Sequence, residues 1–280
     1  MDKDIVRARF AKAVRSYDDN AHVQRQIAGY LCHLMAEYGL GLHGHGAKDS
    51  EFEVLSTVLR SADQELKAVP TGPSRVLEVG CGTGMLSRMF LKDFCPDRIW
   101  LNDLCPEVSS MLEDLLEPGR TEFLPGDAET VVFPVNLDLI MSSSALQWFA
   151  DLPAFLDKCS AALREGGILA FSSFGPLNMS EIAALEGISI PYQTLSELTG
   201  LVSGKFDIIY AEESEAVLSF ASPEEVLRHM KLTGVTGLRK EPWTRSRLES
   251  FCSRYSDLFS DPDGTVRLTY HPLYVIARKK

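Results

Sequence analysis

The stretch that most constrains this chain is a short apolar run, Arg75-Val-Leu-Glu-Val79, which breaks into Gly80-Cys-Gly-Thr-Gly84 and then into the helix-patterned Met85–Phe94. A strand that enters a glycine turn and leaves as a helix reverses the backbone sharply and brings a ligand close to the helix N-terminus. The pattern then repeats. Arg98–Asn102 reads as a second strand, 107–116 as a helix, Glu122–Leu124 as a third strand and Leu137–Met141 as a fourth. A helix at 152–163 and a fifth strand at Gly167–Phe174, after Gly166-Gly167, complete the series. Such alternation implies right-handed βαβ units, so the expected fold class is α/β with a doubly wound, mainly parallel sheet.

Ahead of this core, Val23, Ile27, Leu31, Leu34 and Met35 recur at helical spacing within Ile5–Tyr38, and Tyr17-Asp18-Asp19-Asn20 divides that stretch into two helices and offers N-cap residues to the second. Residues 39–50 are glycine-rich and read as a loop, 51–68 as a helix, and Pro70-Thr71-Gly72-Pro73 as a turn. Beyond Phe174 the pattern predicts a helix near 193–203, a strand at about 206–219, helices at Glu224–Thr233 and 244–259, and a last strand, Tyr270–Ala277, closing the sheet's edge. The expected division is an N-terminal helical lid (1–70), a core (71–221), a helical cap (222–268) and a final core strand (269–280).

Charge limits the partners. There are 28 Lys plus Arg against 39 Asp plus Glu, a net charge of −11, which argues against nucleic acid. The ends differ from the body: residues 1–30 carry six basic and four acidic side chains, and residues 228–280 carry eleven and five. An acidic body with a basic tail leaves room for an anionic partner near the chain ends. No apolar run approaches the length of a membrane span, and Met1-Asp2-Lys3-Asp4 lacks a secretory signal, so a cytoplasmic location without a membrane partner is expected. Six scattered cysteines form no C-x-x-C pair, and His43 and His45 have no companions at ligand spacing, so no metal is expected.

The spacing of the glycines narrows the ligand. A dinucleotide fingerprint needs a third glycine at position 85, where this chain has Met85. Glu78, two positions before Gly80, would oppose a pyrophosphate but suits a cationic amino-acid ligand. Val76-Leu-Glu-Val-Gly-Cys-Gly-Thr-Gly84 resembles the first motif of the class I S-adenosylmethionine-dependent methyltransferases, a Rossmann-like family. The resemblance continues at Asp103 after the second strand, at Gly126-Asp127-Ala128-Glu129 after the third, and at Ser142–Trp148 after the fourth. It implies S-adenosyl-L-methionine as cofactor, S-adenosyl-L-homocysteine as its product, and Gln24, Glu78, Gly80, Gly82, Gly84, Asp103, Leu104, Asp127, Ala128, Ser143 and Ser144 as cofactor-binding residues. Taken singly, Asp103 or Asp127 reads equally as a solvated loop carboxylate.

A finer resemblance spans nearly the whole chain. Phe10, Ser16-Tyr17 and Val23-Gln24 look like the N-terminal lid of the BioC family, the malonyl-acyl-carrier protein O-methyltransferases of biotin synthesis. Ser144-Ala-Leu-Gln-Trp148, Phe171-Ser-Ser-Phe-Gly175, Glu225-Val-Leu-Arg-His-Met-Lys231 with Thr233-Gly234-Val235, and Leu268-Thr-Tyr-His-Pro272 are similar to its later blocks. The chain departs at 39–70, where the family has a shorter connection. The resemblance implies methyl transfer to the free carboxylate of a malonyl thioester, on acyl-carrier protein or coenzyme A, giving the ester that primes pimeloyl synthesis. A carboxylic acid of pKa about 4 is already ionised at neutral pH, so no general base is expected, and Ser142–Trp148 holds no His, Asp or Lys.

Candidates to position the acceptor are Tyr17, Trp148, Phe174, Arg228, His229 and Lys231. Each also has a plainer role. Tyr17, Trp148 and Phe174 could be packing residues, Gln24 a surface helix residue, and Arg228 with Lys231 a solvated helix face. An acidic carrier needs a local basic surface, for which Arg239, Lys240, Arg245, Arg247 and Arg254 are the obvious place. Two rival readings stand beside this one: a methyltransferase for another small carboxylate or quinone-like acceptor, and a non-catalytic cofactor-binding or partner protein.

Overall fold

The computed structural model describes residues 3–40, 72–187, 190–234 and 244–280. The loop and helix expected within 41–71, His43 and His45 included, lie outside the described residues, as do Val235, Arg239 and Lys240.

The chain opens with α1 (Lys3–Asn20) and α2 (His22–Leu34), which runs into a π-helical turn, Met35–Gly39. The break falls at Ala21 rather than within 17–20, and Ala21 caps α2 without a side-chain hydrogen bond. The expected cap residues are used otherwise, because Asn20 Nδ2 turns back to Ser16 O at 2.6 Å and keeps α1 helical through Asn20. The core then runs β1 (Arg75–Val79), α3 (Met85–Asp93), β2 (Arg98–Asp103), β3 (Thr121–Pro125), β4 (Leu137–Ser142), α4 (Leu152–Ala162) and β5 (Leu163–Phe174). Next come α5 (Ser180–Glu186), α6 (Leu195–Val202), β6 (Phe206–Glu213), β7 (Ala216–Phe220), α7 (Pro223–Leu232), α8 (Arg245–Phe259), β8 (Val266–Tyr270) and β9 (Pro272–Lys279).

Seven strands form one sheet in the order β3-β2-β1-β4-β5-β9-β6. Strands β1 to β5 are parallel, and β9 is antiparallel to both of its neighbours. Alternation along each strand feeds two cores. Val76, Ile99, Leu139 and Met141 pack with Ile27 and Leu31 of α2 and Leu86 and Phe90 of α3. Leu77, Val79, Ile140 and Leu169 pack on the other face with Phe155 and Cys159 of α4 and Leu198 and Val202 of α6. Both faces being covered explains why the parallel strands read as nearly continuous apolar runs.

Three expectations are corrected. The helix expected at 107–116 is only a 3-10 turn, Pro106–Met111, because Arg88 Nη2 takes the Met111 carbonyl at 2.6 Å, an acceptor a continuing helix would need. The strand expected at 206–219 is two strands: β6 pairs with β9, while β7 pairs with β8 in a separate two-stranded sheet, so residues 216–220 leave the core sheet. The last strand does not close the edge either. β9 sits between β5 and β6, and β6 is the edge strand.

Candidate active site

The carboxyl ends of β1 to β5 open into one cavity, beneath the crossing of α1, where a parallel sheet of this kind presents its ligands. Reading across the sheet, the lining stations are Asp127 after β3, Asp103 ending β2, the glycine turn after β1, Ser143 and Ser144 after β4, and Phe174 ending β5. The order follows from the topology, so residues far apart in sequence become a row.

Asp103 locks the glycine turn. Its Oδ2 accepts from Gly82 N at 2.8 Å and its Oδ1 from Cys105 N at 2.8 Å, which binds the loops after β1 and β2 through one carboxylate. Burial pushes its pKa up to about 6, against the two backbone donors that pull it down. Gly80 has φ +70°, and a β-carbon there would stand 2.5 Å from Ala145 Cβ, so only glycine lets the turn approach the loop after β4. Gly84 is not in the cavity wall; it takes the left-handed cap position of α3.

Glu78 lies below the turn, 1% exposed, and accepts a hydrogen bond from Ser87 Oγ. Burial pushes it up to about 8, with the nearby Asp103 charge adding to the rise and the Ser87 bond opposing it. Burial thus favours the neutral carboxylic acid in the cofactor-free protein. Because the folded pKa exceeds the ordinary one, this group favours folding at low pH and costs stability as the pH rises through about 8. A cationic ligand favours the ionised form, so binding of S-adenosyl-L-methionine, whose sulfonium makes it a net cation, is expected to release a proton near neutral pH. Calorimetry in buffers of different ionisation enthalpy checks this, and a binding enthalpy independent of buffer would contradict it.

Helix α1 forms the roof and is pinned along its length. Lys3 forms ion pairs with Asp127, at 2.6 Å, and with Glu129. Arg7 Nη2 meets Glu107 at 2.9 Å, the Phe10 ring lies 3.2 Å from where a Gly82 β-carbon would be, and Thr83 Oγ1 donates to Asp18 at 2.6 Å. Asp127 and Glu129 are both held below the usual carboxylate range by Lys3, against their partial burial. Lys3 and Arg7 line the cavity and are not included in the sequence motifs. Their signal is the i, i+4, i+7 spacing of Lys3, Arg7 and Phe10 on one helix face.

The cavity wall contains Tyr17, Gln24, Glu78, Gly80, Gly82, Asp103, Leu104, Asp127, Ala128, Ser143, Ser144, Trp148 and Phe174. It also contains Gln147, Thr233 and Gly234, absent from the sequence-based assignment although all three fall in the motif blocks. Arg228, His229 and Lys231 are not brought to it. Arg228 and Lys231 lie on α7 outside the cavity wall, and His229 turns inward, its Nε2 2.8 Å from Tyr270 Oη. Among the described residues, three of the five buried side-chain polar atoms left without a protein partner belong to wall residues: Gln24 Oε1, Ser144 Oγ and Gln147 Oε1. Unpaired buried polar atoms cost free energy unless a ligand completes them, so the wall fits a polar ligand. A buried acid under a glycine turn, with a carboxylate at the end of β2, suits the cationic amino-acid end and the ribose of S-adenosyl-L-methionine. Among the described residues no group of three or more His, Cys, Asp or Glu side chains is placed to hold a metal, and no helix is long and apolar enough to cross a membrane.

Comparison with known proteins agrees with this geometry. The Methyltransferase domain family matches residues 77–171. A malonyl-acyl-carrier protein O-methyltransferase of Bacteroides thetaiotaomicron is 41% identical over 100% of this chain and 99% of its own length. One from Haemophilus influenzae is 35% identical over 99% of this chain and 95% of its own. A relative of the same name from Bacteroides fragilis is 42% identical over 99% of this chain, which spans about half of that longer protein, 51% of it. In fold, a putative methyltransferase structure from Bacillus halodurans superposes with a TM-score of 0.56 at 15% identity, covering 81% of this chain and 98% of that one. End-to-end identity of this extent is family membership: the chain belongs to the malonyl-acyl-carrier protein O-methyltransferases and is an S-adenosyl-L-methionine-dependent methyltransferase.

Proposed function

We propose that this chain methylates the free carboxylate of a malonyl thioester, and that the thioester is carried by acyl-carrier protein. The observation that carries the reading is the family kinship over the whole chain. The chemistry of the cavity supports it, since the wall after β4 and β5 offers hydroxyls and aromatic rings and no base. The glycine turn and Asp103 would hold S-adenosyl-L-methionine, which would supply a sulfonium methyl for transfer to a carboxylate oxygen, with sulfur keeping the bonding pair. The protein's own share is alignment and exclusion of water. Trp148 and Phe174 line the acceptor end as apolar walls. Tyr17 is held protonated by burial and remains a hydrogen-bond donor toward an incoming carboxylate.

Docking of an acidic carrier needs cations outside the cavity. Lys231 on α7, with Arg245 and Arg254 on the adjoining α8, is exposed, as they are, and together they supply them. Arg245 pairs at 2.9 Å with the exposed Glu249 on its own helix, whereas Arg247 is engaged with the largely buried Glu186 at 3.0 Å. Incubation with S-adenosyl-L-methionine and malonyl thioesters of acyl-carrier protein and of coenzyme A tests the reading. A malonyl methyl ester on the carrier is expected, and cofactor binding without an ester on either thioester sinks the proposal. Paired reversal, Arg245→Glu with Arg254→Glu, is expected to raise KM for the carrier thioester about tenfold and leave the coenzyme A thioester unchanged, since rim charges act on encounter. Equal KM values for the carrier before and after reversal would remove α8 as the docking surface.

A further inference from the structure

The row along the sheet's carboxyl edge separates two ligands. Asp103 and the glycine turn belong to the cofactor, and the next strand over, β4, presents Ser144. Ser144 therefore stands where the cofactor ends and the acceptor begins. Its backbone is unusual. At φ +56° it is one of three non-glycine residues in the left-handed region among the described residues, a conformation that a β-carbon disfavours. The surroundings enforce it: Ser144 N is held by Ser172 O at 3.2 Å and Ser172 Oγ at 3.1 Å, and Ser144 O accepts from Gln147 Nε2 at 2.6 Å. Its hydroxyl is buried and has no protein partner. A strained backbone, secured on both sides, at a residue that lines the ligand cavity and whose buried hydroxyl has no protein partner is an arrangement in search of a ligand.

The chemistry of that ligand follows from what else lines the cavity. Both wall cations are committed, Lys3 to Asp127 and Glu129, and Arg7 to Glu107. A carboxylate entering here needs neutral donors instead. Gln147 cannot serve, because its nitrogen is bound to Ser144 O and its free end is the acceptor Oε1. The Ser144 hydroxyl can. Beside Tyr17, which lies on α1 across the cavity, an O–H donor on the β4 side holds one carboxylate oxygen through a single bond and leaves the other free to attack, whereas a guanidinium fork would take both.

We propose that Ser144 Oγ–H binds the non-attacking oxygen of the acceptor carboxylate, which makes Ser144 the residue that selects a malonyl thioester over one lacking a free carboxylate. This rests on the malonyl reading above. The test compares wild type with Ser144→Gly, which adopts the same φ freely, and Ser144→Ala, which keeps the β-carbon. Malonyl-CoA is titrated calorimetrically into each protein saturated with S-adenosyl-L-homocysteine, with acetyl-CoA as the probe lacking the carboxylate, and turnover is measured in parallel. Loss of one hydrogen bond to a charged group predicts malonyl-CoA binding weaker by about ten- to a hundredfold in both variants. Acetyl-CoA binding is expected to stay within about twofold of wild type, and saturation with S-adenosyl-L-homocysteine keeps any change in cofactor affinity out of the comparison. Malonyl-CoA affinity unchanged in Ser144→Gly, or acetyl-CoA binding weakened as much as malonyl-CoA binding, overturns the proposal while leaving the malonyl reading intact. Wild-type protein that binds cofactor but forms no malonyl ester overturns that reading, and this inference with it.

Discussion

Asp103→Asn is expected to weaken binding of S-adenosyl-L-homocysteine by about a hundred- to a thousandfold. The substitution preserves shape and removes function from both ends of the side chain. Asp103 now receives Gly82 N–H on one oxygen and Cys105 N–H on the other, each at 2.8 Å. An amide puts NH2 where one of those oxygens was, so a donor faces a donor and one backbone N–H loses its partner in a site only 7% exposed. An unsatisfied buried donor costs about 1–3 kcal/mol, and loss of a hydrogen bond to a charged group about 1.5–3 kcal/mol more. Under the proposed binding mode the same carboxylate would also accept from the ribose hydroxyls of the cofactor. Acid should imitate the substitution in part. With burial holding Asp103 at about 6, affinity is expected to fall as the pH drops below 6. Stability of the cofactor-free protein should move the other way, because a carboxyl whose folded pKa lies above its ordinary value is stabilised by protonation. Calorimetric titration across pH 5 to 7 checks the affinity slope and thermal unfolding of the cofactor-free protein the stability slope, and an affinity of the Asp103→Asn variant within tenfold of wild type would show that the anchor lies elsewhere.

Asp103 is legible from sequence because its signal is local: an apolar strand, then an acid at the expected distance from a glycine turn. The same holds for Glu78, Asp127 and Ser144, each of which lies in or follows a strand that the pattern already locates. What stays hidden depends on pairing between distant segments. Nothing in Tyr270–Ala277 tells that β9 inserts antiparallel between β5 and β6, since an apolar strand suits an edge and an interior position alike until its neighbours are known. The role of α7 is obscured for a related reason. Arg228, His229 and Lys231 look alike as cations in sequence, yet packing points His229 at Tyr270 and leaves the other two outside the cavity wall. Lys3 is invisible as a clamp because its partners, Asp127 and Glu129, lie more than a hundred positions away. Helix α5 gives no signal for want of length, as seven residues make too few turns for a periodic pattern.

Gly80→Ala is expected to lower kcat/KM about a hundredfold and to reduce the melting temperature, although it adds a single methyl group. Two costs combine. The residue sits at φ +70°, where a β-carbon costs roughly 1–2 kcal/mol. That β-carbon would also stand 2.5 Å from Ala145 Cβ, a contact that neither partner can relieve by turning a side chain, and overpacking of this kind costs about 1–3 kcal/mol. Backbone must move, and the turn is the stiffer side. Gly82 N is tied to Asp103 and Cys81 N to Asn102 O at 2.9 Å, so the strain passes to the loop after β4. That loop carries Ser144 and Trp148, which places the damage in alignment of the acceptor, where a displacement of about 1 Å can cost a hundredfold. The double substitution Gly80→Ala with Ala145→Gly separates the two terms: it removes the steric contact and keeps the left-handed penalty. Activity is expected to recover by about tenfold or more while the melting temperature recovers only in part. If the double variant were no more active than Gly80→Ala alone, the contact with Ala145 would not be what couples the cofactor turn to the acceptor loop.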